Sequence, residues 1–205
     1  MLRTTEIEMQ DYSNACADVA IVNLFKLRGL TPPSREDISN QLTQLFSGPR
    51  IGDQQAPKAI EVLNLLISHG FFCALVGVPP SFWSAPQKIL TRFLDAGCNL
   101  LLYFNWRMPE GPVSTHVTLA EGYTERGYRV IDGEPGGHRP EGSTIELEPN
   151  MPSEAELEQA RQWMQTHSHG NRLMLPFINI AVSHSPQELA LGLLPHFIVV
   201  YPSPE

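Results

Sequence analysis

The hydrophobic pattern of this 205-residue chain changes period near residue 98, and that change limits what it can fold into. Upstream, apolar residues recur at helical spacing. Val19, Ala20, Val22, Leu24 and Leu27 mark a first helix that begins at Cys16 and stops at Gly29. Ser13 and Asn14 are its N-cap candidates, and Lys26 and Arg28 suit its C-terminus. Ser34 with Asp37 resembles a capping box and opens a second helix that turns Ile38, Leu42, Leu45 and Phe46 inward. Pro57 starts a third, with Ile60, Leu63, Leu66 and Ile67 inward and Gly70 closing it. Residues 71–78 read as a strand halted by Pro79 and Pro80. Residues 86–96 read as a fourth helix built on Ile89, Leu90, Phe93 and Leu94.

Downstream the pattern belongs to strands. Residues 99–106 are almost unbroken apolar chain, as in a central strand covered on both faces. After a loop at 108–114, residues 116–123 alternate as a half-buried strand does, with His116, Thr118 and Ala120 on one side and Val117, Leu119 and Glu121 on the other. A tight turn at 124–127 leads into 128–132, so these two strands form a hairpin. The Gly- and Pro-rich stretch 133–142 is a loop, 144–147 a further strand, and 153–166 a charged helix capped by Ser153 with Glu156. Residues 172–182 are a strand region broken at Pro176, 185–194 a short helix, and 196–201 a last strand. Helices first and sheet second predict an α+β domain over 1–205, with 1–98 mainly a helical lobe, 99–205 mainly a β lobe, and a cleft between them.

Apolar content of 42% and charged content of 18% fit one globular domain with a sizeable core. The net charge of −8 argues against nucleic acid or an anionic membrane as partner, since both need clustered Lys and Arg, and leaves room for a basic or neutral substrate. Cys16, Cys73 and Cys98 are odd in number and widely spaced, so neither a disulfide framework nor a zinc site is indicated. Cys73 and Cys98 sit in apolar runs and are expected in the core. The first nine residues form no apolar signal segment, so the expected compartment is the cytoplasm, or the exterior by a route without a cleavable signal.

Cys16 differs from the other two cysteines in its position. A thiol at a helix N-terminus faces unpaired backbone N–H groups and the positive end of the dipole, which favour the nucleophilic thiolate. His116 follows it by 100 positions and Asp132 follows His116 by 16, in consecutive strands that pairing can bring together. His116 would then take the thiol proton and later protonate the leaving group, while Asp132 holds the imidazole in its working tautomer. Gln10, six residues before Cys16, would join the Cys16 backbone N–H in stabilising an oxyanion. Trp106 and Asn105 end the strand before the His116 loop and would wall the cleft, with Thr115 beside them as a substrate contact.

This pattern resembles the papain-like cysteine peptidases. Within them it is most similar to the compact bacterial branch that removes double-glycine leader peptides from bacteriocins. The resemblance is carried by Gln10 and Cys16 at the helix start. It continues in Thr115-His116-Val117-Thr118-Leu119-Ala120-Glu121-Gly122-Tyr123 and then Gly127-Tyr128-Arg129-Val130-Ile131-Asp132-Gly133. It implies a papain-like fold, with a helical lobe against an antiparallel sheet and the site between them. The roles it implies are nucleophile for Cys16, base for His116, orienting acid for Asp132 and oxyanion donor for Gln10, acting on a peptide or protein substrate without a cofactor. The chain departs from the family pattern in having Ala17 rather than Gly after the nucleophile, and Gly133 where Pro is common.

The same triad serves protein-glutamine deamidases and acyl-transferring relatives, so the bond attacked stays open at this point. Two plainer readings stand beside it: a silent papain-like domain that binds peptide, and an unrelated α+β protein in which Cys16 is simply buried. His167 and His169 lack a third ligand at useful spacing, so no metal site is expected. The loop at 133–137 lacks the Lys-Ser/Thr of a phosphate loop. Trp83 and Trp163 read as core.

Overall fold

The unbroken apolar run at 99–106 lies at the middle of a sheet. In the computed structural model, which describes residues 7–8, 15–45, 58–107, 113–132, 172–181 and 192–203, six strands are present. They are β1 (Cys73–Gly77), β2 (Asn99–Arg107), β3 (Val113–Tyr123), β4 (Gly127–Ile131), β5 (Arg172–Pro176) and β6 (Gly192–Val200). Their order is β1-β6-β2-β3-β4-β5, and every neighbouring pair is antiparallel. Four α-helices accompany them: α1 (Cys16–Leu27), α2 (Arg35–Leu45), α3 (Ala59–Ser68) and α4 (Gln87–Asp95). The fold is α+β with one antiparallel sheet. Among the described residues no helix is long and apolar enough to cross a membrane.

Helix α1 is the hub of one layer. Every residue from Cys16 to Phe25 is buried, as expected of a helix that is apolar on nearly all sides. One core cluster joins it to Ile38 and Leu42 of α2, Val62, Leu65 and Leu66 of α3, and the Leu101, Tyr103, Val117 and Leu119 face of the sheet. The other face carries Leu100, Leu102, Phe104, Ala120 and Val130 in a second cluster with Leu90 of α4. Strand β3 is therefore covered on both sides from His116 to Ala120, and is not the half-buried strand its alternation predicts. The hairpin is present, with Leu119 opposite Ile131 and the Thr124 N–H donating to the Gly127 carbonyl at 2.7 Å.

Several local expectations shift. Ala15, not Ser13 or Asn14, stands at the N-cap of α1 and has no side chain to cap with; positions 13 and 14 lie outside the described residues. Ser34 does cap α2: its hydroxyl donates to Asp37 Oδ2 at 2.6 Å and accepts the Asp37 N–H at 3.0 Å. Leu45, in the last turn of that helix, is exposed. In α3 the inward stripe is Ala59, Val62, Leu65 and Leu66, leaving Ile60 and Ile67 exposed. That helix offers two apolar stripes, and its contacts with α2 and β1 choose between them. Residues 192–194 belong to β6, not to a helix, because Leu193 pairs with Phe104 of β2 and bridges Ile180. The elements expected at 144–147, 153–166 and 185–191, and Phe46 and Pro57, lie outside the described residues.

Candidate functional site

Cys16 is the first residue of α1. Because Ala15 offers no acceptor, the N-cap side chain satisfies none of the first-turn N–H groups, and the helix dipole presents its positive end beside the thiol. The preceding chain is tied alongside this helix. Asn23, fully buried in α1, accepts the Glu8 N–H at 2.7 Å and donates to the Glu8 carbonyl at 3.1 Å, while Lys26 pairs with the Glu8 carboxylate at 2.8 Å. Gln10, two residues further on, lies outside the described residues.

The sheet supplies the partner. Alternation sets His116 of β3 across from Phe104 of β2, whose ring meets the imidazole edge-on with centroids 5.3 Å apart. β4 ends at Ile131, opposite Leu119, so His116 lies past the last rung of the β3–β4 ladder. Asp132 follows directly. The Thr118 hydroxyl donates to the Ile131 carbonyl at 2.9 Å and so fixes the chain one residue before the carboxylate. His116 Nε2 bonds Asp132 Oδ2 at 2.9 Å, with both residues nearly sealed from solvent (4% and 2% exposed). Cys16 lies near enough for its side chain to favour the charged form of the same imidazole.

Burial on its own would strip the proton from His116. The Asp132 charge and hydrogen bond, followed by those of Cys16, outweigh that and push its pKa up to about 10. A protonated imidazole donates from both nitrogens, so it can serve the carboxylate and the sulfur at once. The arrangement can therefore hold a proton between a thiol and a carboxylate-backed imidazole, out of water.

Three of the four residues expected to carry chemistry thus converge: Cys16, His116 and Asp132. Of the expected substrate contacts, Thr115 and Asn105 face each other across β3 and β2, and the Thr115 hydroxyl donates to Asn105 Oδ1 at 2.9 Å. Asn105 is buried, so this pair braces the strands next to His116. Trp106 sits one position further along β2, opposite Ser114. Two contributors escape a reading of the sequence, Phe104 and Thr118, just described, and so does the setting of Tyr103 in β2 nearby. Tyr103 interrupts the aliphatic start of β2 at an inward position, and its buried hydroxyl has no hydrogen-bond partner among the described residues. That polar tip in an apolar run was the available signal.

His69 bonds Gln41 Oε1 at 2.8 Å, and burial lowers the pKa of His196. Among the described residues no group of three ligating side chains could hold a metal; His167, His169 and the 133–137 loop lie outside them. No protein-family model matches the chain, and no curated protein matches it in sequence.

Proposed function

We propose that this protein is a papain-type cysteine hydrolase that opens an amide bond, by default a peptide bond, through a thioester on Cys16. The observation that carries the reading is the buried His116 imidazole, bonded to Asp132 and favoured in its charged form by Asp132 and by Cys16. The α+β layout, with α1 laid on an antiparallel sheet, is compatible with a papain-like fold.

In this mechanism the Cys16 sulfur, its proton already on His116, attacks the substrate carbonyl carbon. The developing oxyanion is met by the Cys16 backbone N–H at the uncapped helix start and by the Gln10 amide; one such donor is typically worth about 3 kcal/mol of barrier. As the C–N bond breaks, His116 passes its proton to the departing amine, leaving the acyl group on sulfur. Water then attacks the thioester while the now neutral His116 takes its proton, and Cys16 leaves as thiolate. Asp132 keeps the ring oriented throughout and stabilises its charged form. A glutamine side chain in the same position would lose ammonia, and an amine in place of water would give acyl transfer.

The low exposure of Cys16 (6%) and the methyl of Ala17, fully buried behind it, favour one second reading: a papain-like domain that binds peptide without cleaving it. Incubating a pool of proteome-derived peptides with the native protein and with Cys16→Ala separates these, read by mass spectrometry. New termini that require Cys16 mean a peptidase. Gln-to-Glu conversion in intact peptides means a deamidase, and new amide conjugates mean a transferase. No Cys16-dependent change of any kind would contradict hydrolysis.

A further inference from the structure

We infer that β1 is the seam through which two copies of this chain join, each adding its β1 antiparallel to the other's so that the sheet runs on from one molecule into the next. Among the described residues β1 pairs with β6 alone, and so forms one edge of the sheet. Which of its backbone groups face outward follows from the ladder. The Tyr201 N–H donates to the Phe72 carbonyl at 2.9 Å and the Val78 N–H to the Pro195 carbonyl at 2.8 Å, so the even-numbered residues bond β6. Antiparallel pairing turns successive residues to opposite sides, which leaves the N–H and C=O groups of Cys73, Leu75 and Gly77 facing away from the sheet. Leu75 and Gly77 are exposed, and Phe72, one residue before the strand, is 70% exposed.

The two edges of the sheet differ in how they meet solvent. At the other edge the Phe177 N–H donates to the Arg126 carbonyl at 3.2 Å, so the backbone of Pro176 in β5 faces outward, where it offers no N–H to a further strand. β1 has no such guard. From Phe71 to Pro80 the sequence holds no charged residue, β1 contains no proline, and its register with β6 runs without a bulge. Charge and symmetry name a second copy as the partner. A chain of net charge −8 repels its own copies, and an uncharged edge is where two of them meet with least repulsion. An antiparallel pair of identical strands is its own twofold, so the same five residues serve both sides. Centred on Leu75, that pairing sets Leu75 of one copy opposite Leu75 of the other and Cys73 opposite Gly77, and every outward backbone group of β1 then finds a partner. The same register lays the exposed Phe72 against Val78 of the second copy, which takes apolar surface out of water.

The test is sedimentation velocity of the native chain across the micromolar range, beside Leu75→Lys, Leu75→Glu and an equal mixture of the two. Leu75 is already exposed, so neither variant takes a side chain out of the core. The expected result is a native dimer, with each variant alone associating about tenfold more weakly because like charges then meet on the twofold. The mixture, in which opposite charges meet, should associate more tightly than either variant alone. A native chain that stays monomeric at every concentration overturns the inference and leaves this edge to a strand from another protein. Variants that dimerise as the native chain does place the interface elsewhere and overturn it as well. A mixture no tighter than its components overturns the pairing of Leu75 with its own copy.

Discussion

Cys16 and Cys98 are hidden to nearly the same degree, 6% and 3% exposed, and each has a cation in reach, yet the two cations are supported differently. Cys98 lies at the start of β2, its N–H donating to the Phe93 carbonyl at 3.0 Å. Burial pushes its thiol above the ordinary value, and the attraction of Arg28 offsets only part of that. Arg28 is occupied with the Val200 carbonyl at 2.9 Å, and burial disfavours its own charge. At Cys16 the cation is an imidazole bonded to a buried carboxylate, and its charged form is favoured by that carboxylate first and by Cys16 second. On the proposed reading it is the support behind the neighbouring cation, and not burial, that makes one thiol reactive and leaves the other inert.

Asp132→Asn breaks this contrast most strongly. It keeps a hydrogen-bonding group of the same shape and removes the charge, so the desolvation already acting on His116 prevails and the ring becomes neutral. Alkylation of Cys16 near pH 6 should then slow on the order of 100-fold, toward the behaviour of Cys98. An unchanged rate would mean that the imidazole needs no carboxylate behind it.

A smaller effect sharpens the contrast through stability. The pKa of His116 is raised in the fold to about 10 from 6.5, so its stabilising contribution is complete below about 6.5 and is lost as the pH climbs through 10. Denaturant midpoints of the native protein should therefore fall between those values more steeply than those of His116→Gln. Parallel curves would show that His116 is not held protonated by its neighbours.

The helices and the hairpin were legible in sequence because they rest on local signals. α1 begins at Cys16, where its apolar spacing predicts though not with the caps expected, and the turn at 124–127 joins β3 to β4 where its residues predict. His116 and Asp132 were legible for the same reason: a hairpin brings residues 16 apart onto neighbouring strands. The inward stripe of α3 and the start of β6 were not, since each is chosen by partners distant in sequence, α2 and β1 in one case and Phe104 and Ile180 in the other. The approach of Cys16 to His116 has no local signal and was expected only from the spacing of residue types and a family resemblance. Tyr103 went unread because an aromatic residue in an apolar run reads as core, and the isolation of its hydroxyl exists only in three dimensions.

The account turns on whether Cys16 and His116 form a working pair, and the most direct measurement is iodoacetamide alkylation of all three cysteines across pH. It is followed by peptide mass spectrometry in native protein and in His116→Gln, where glutamine can still bond Asp132. The account predicts that Cys16 alone reacts rapidly near pH 5 to 6, a range in which an ordinary thiol is almost wholly protonated. Cys98 and Cys73, the latter pushed up to about 11 by burial, should stay unmodified there, and His116→Gln should abolish the advantage of Cys16. A Cys16 that follows the ordinary thiol curve, or stays as protected as Cys98, would contradict it.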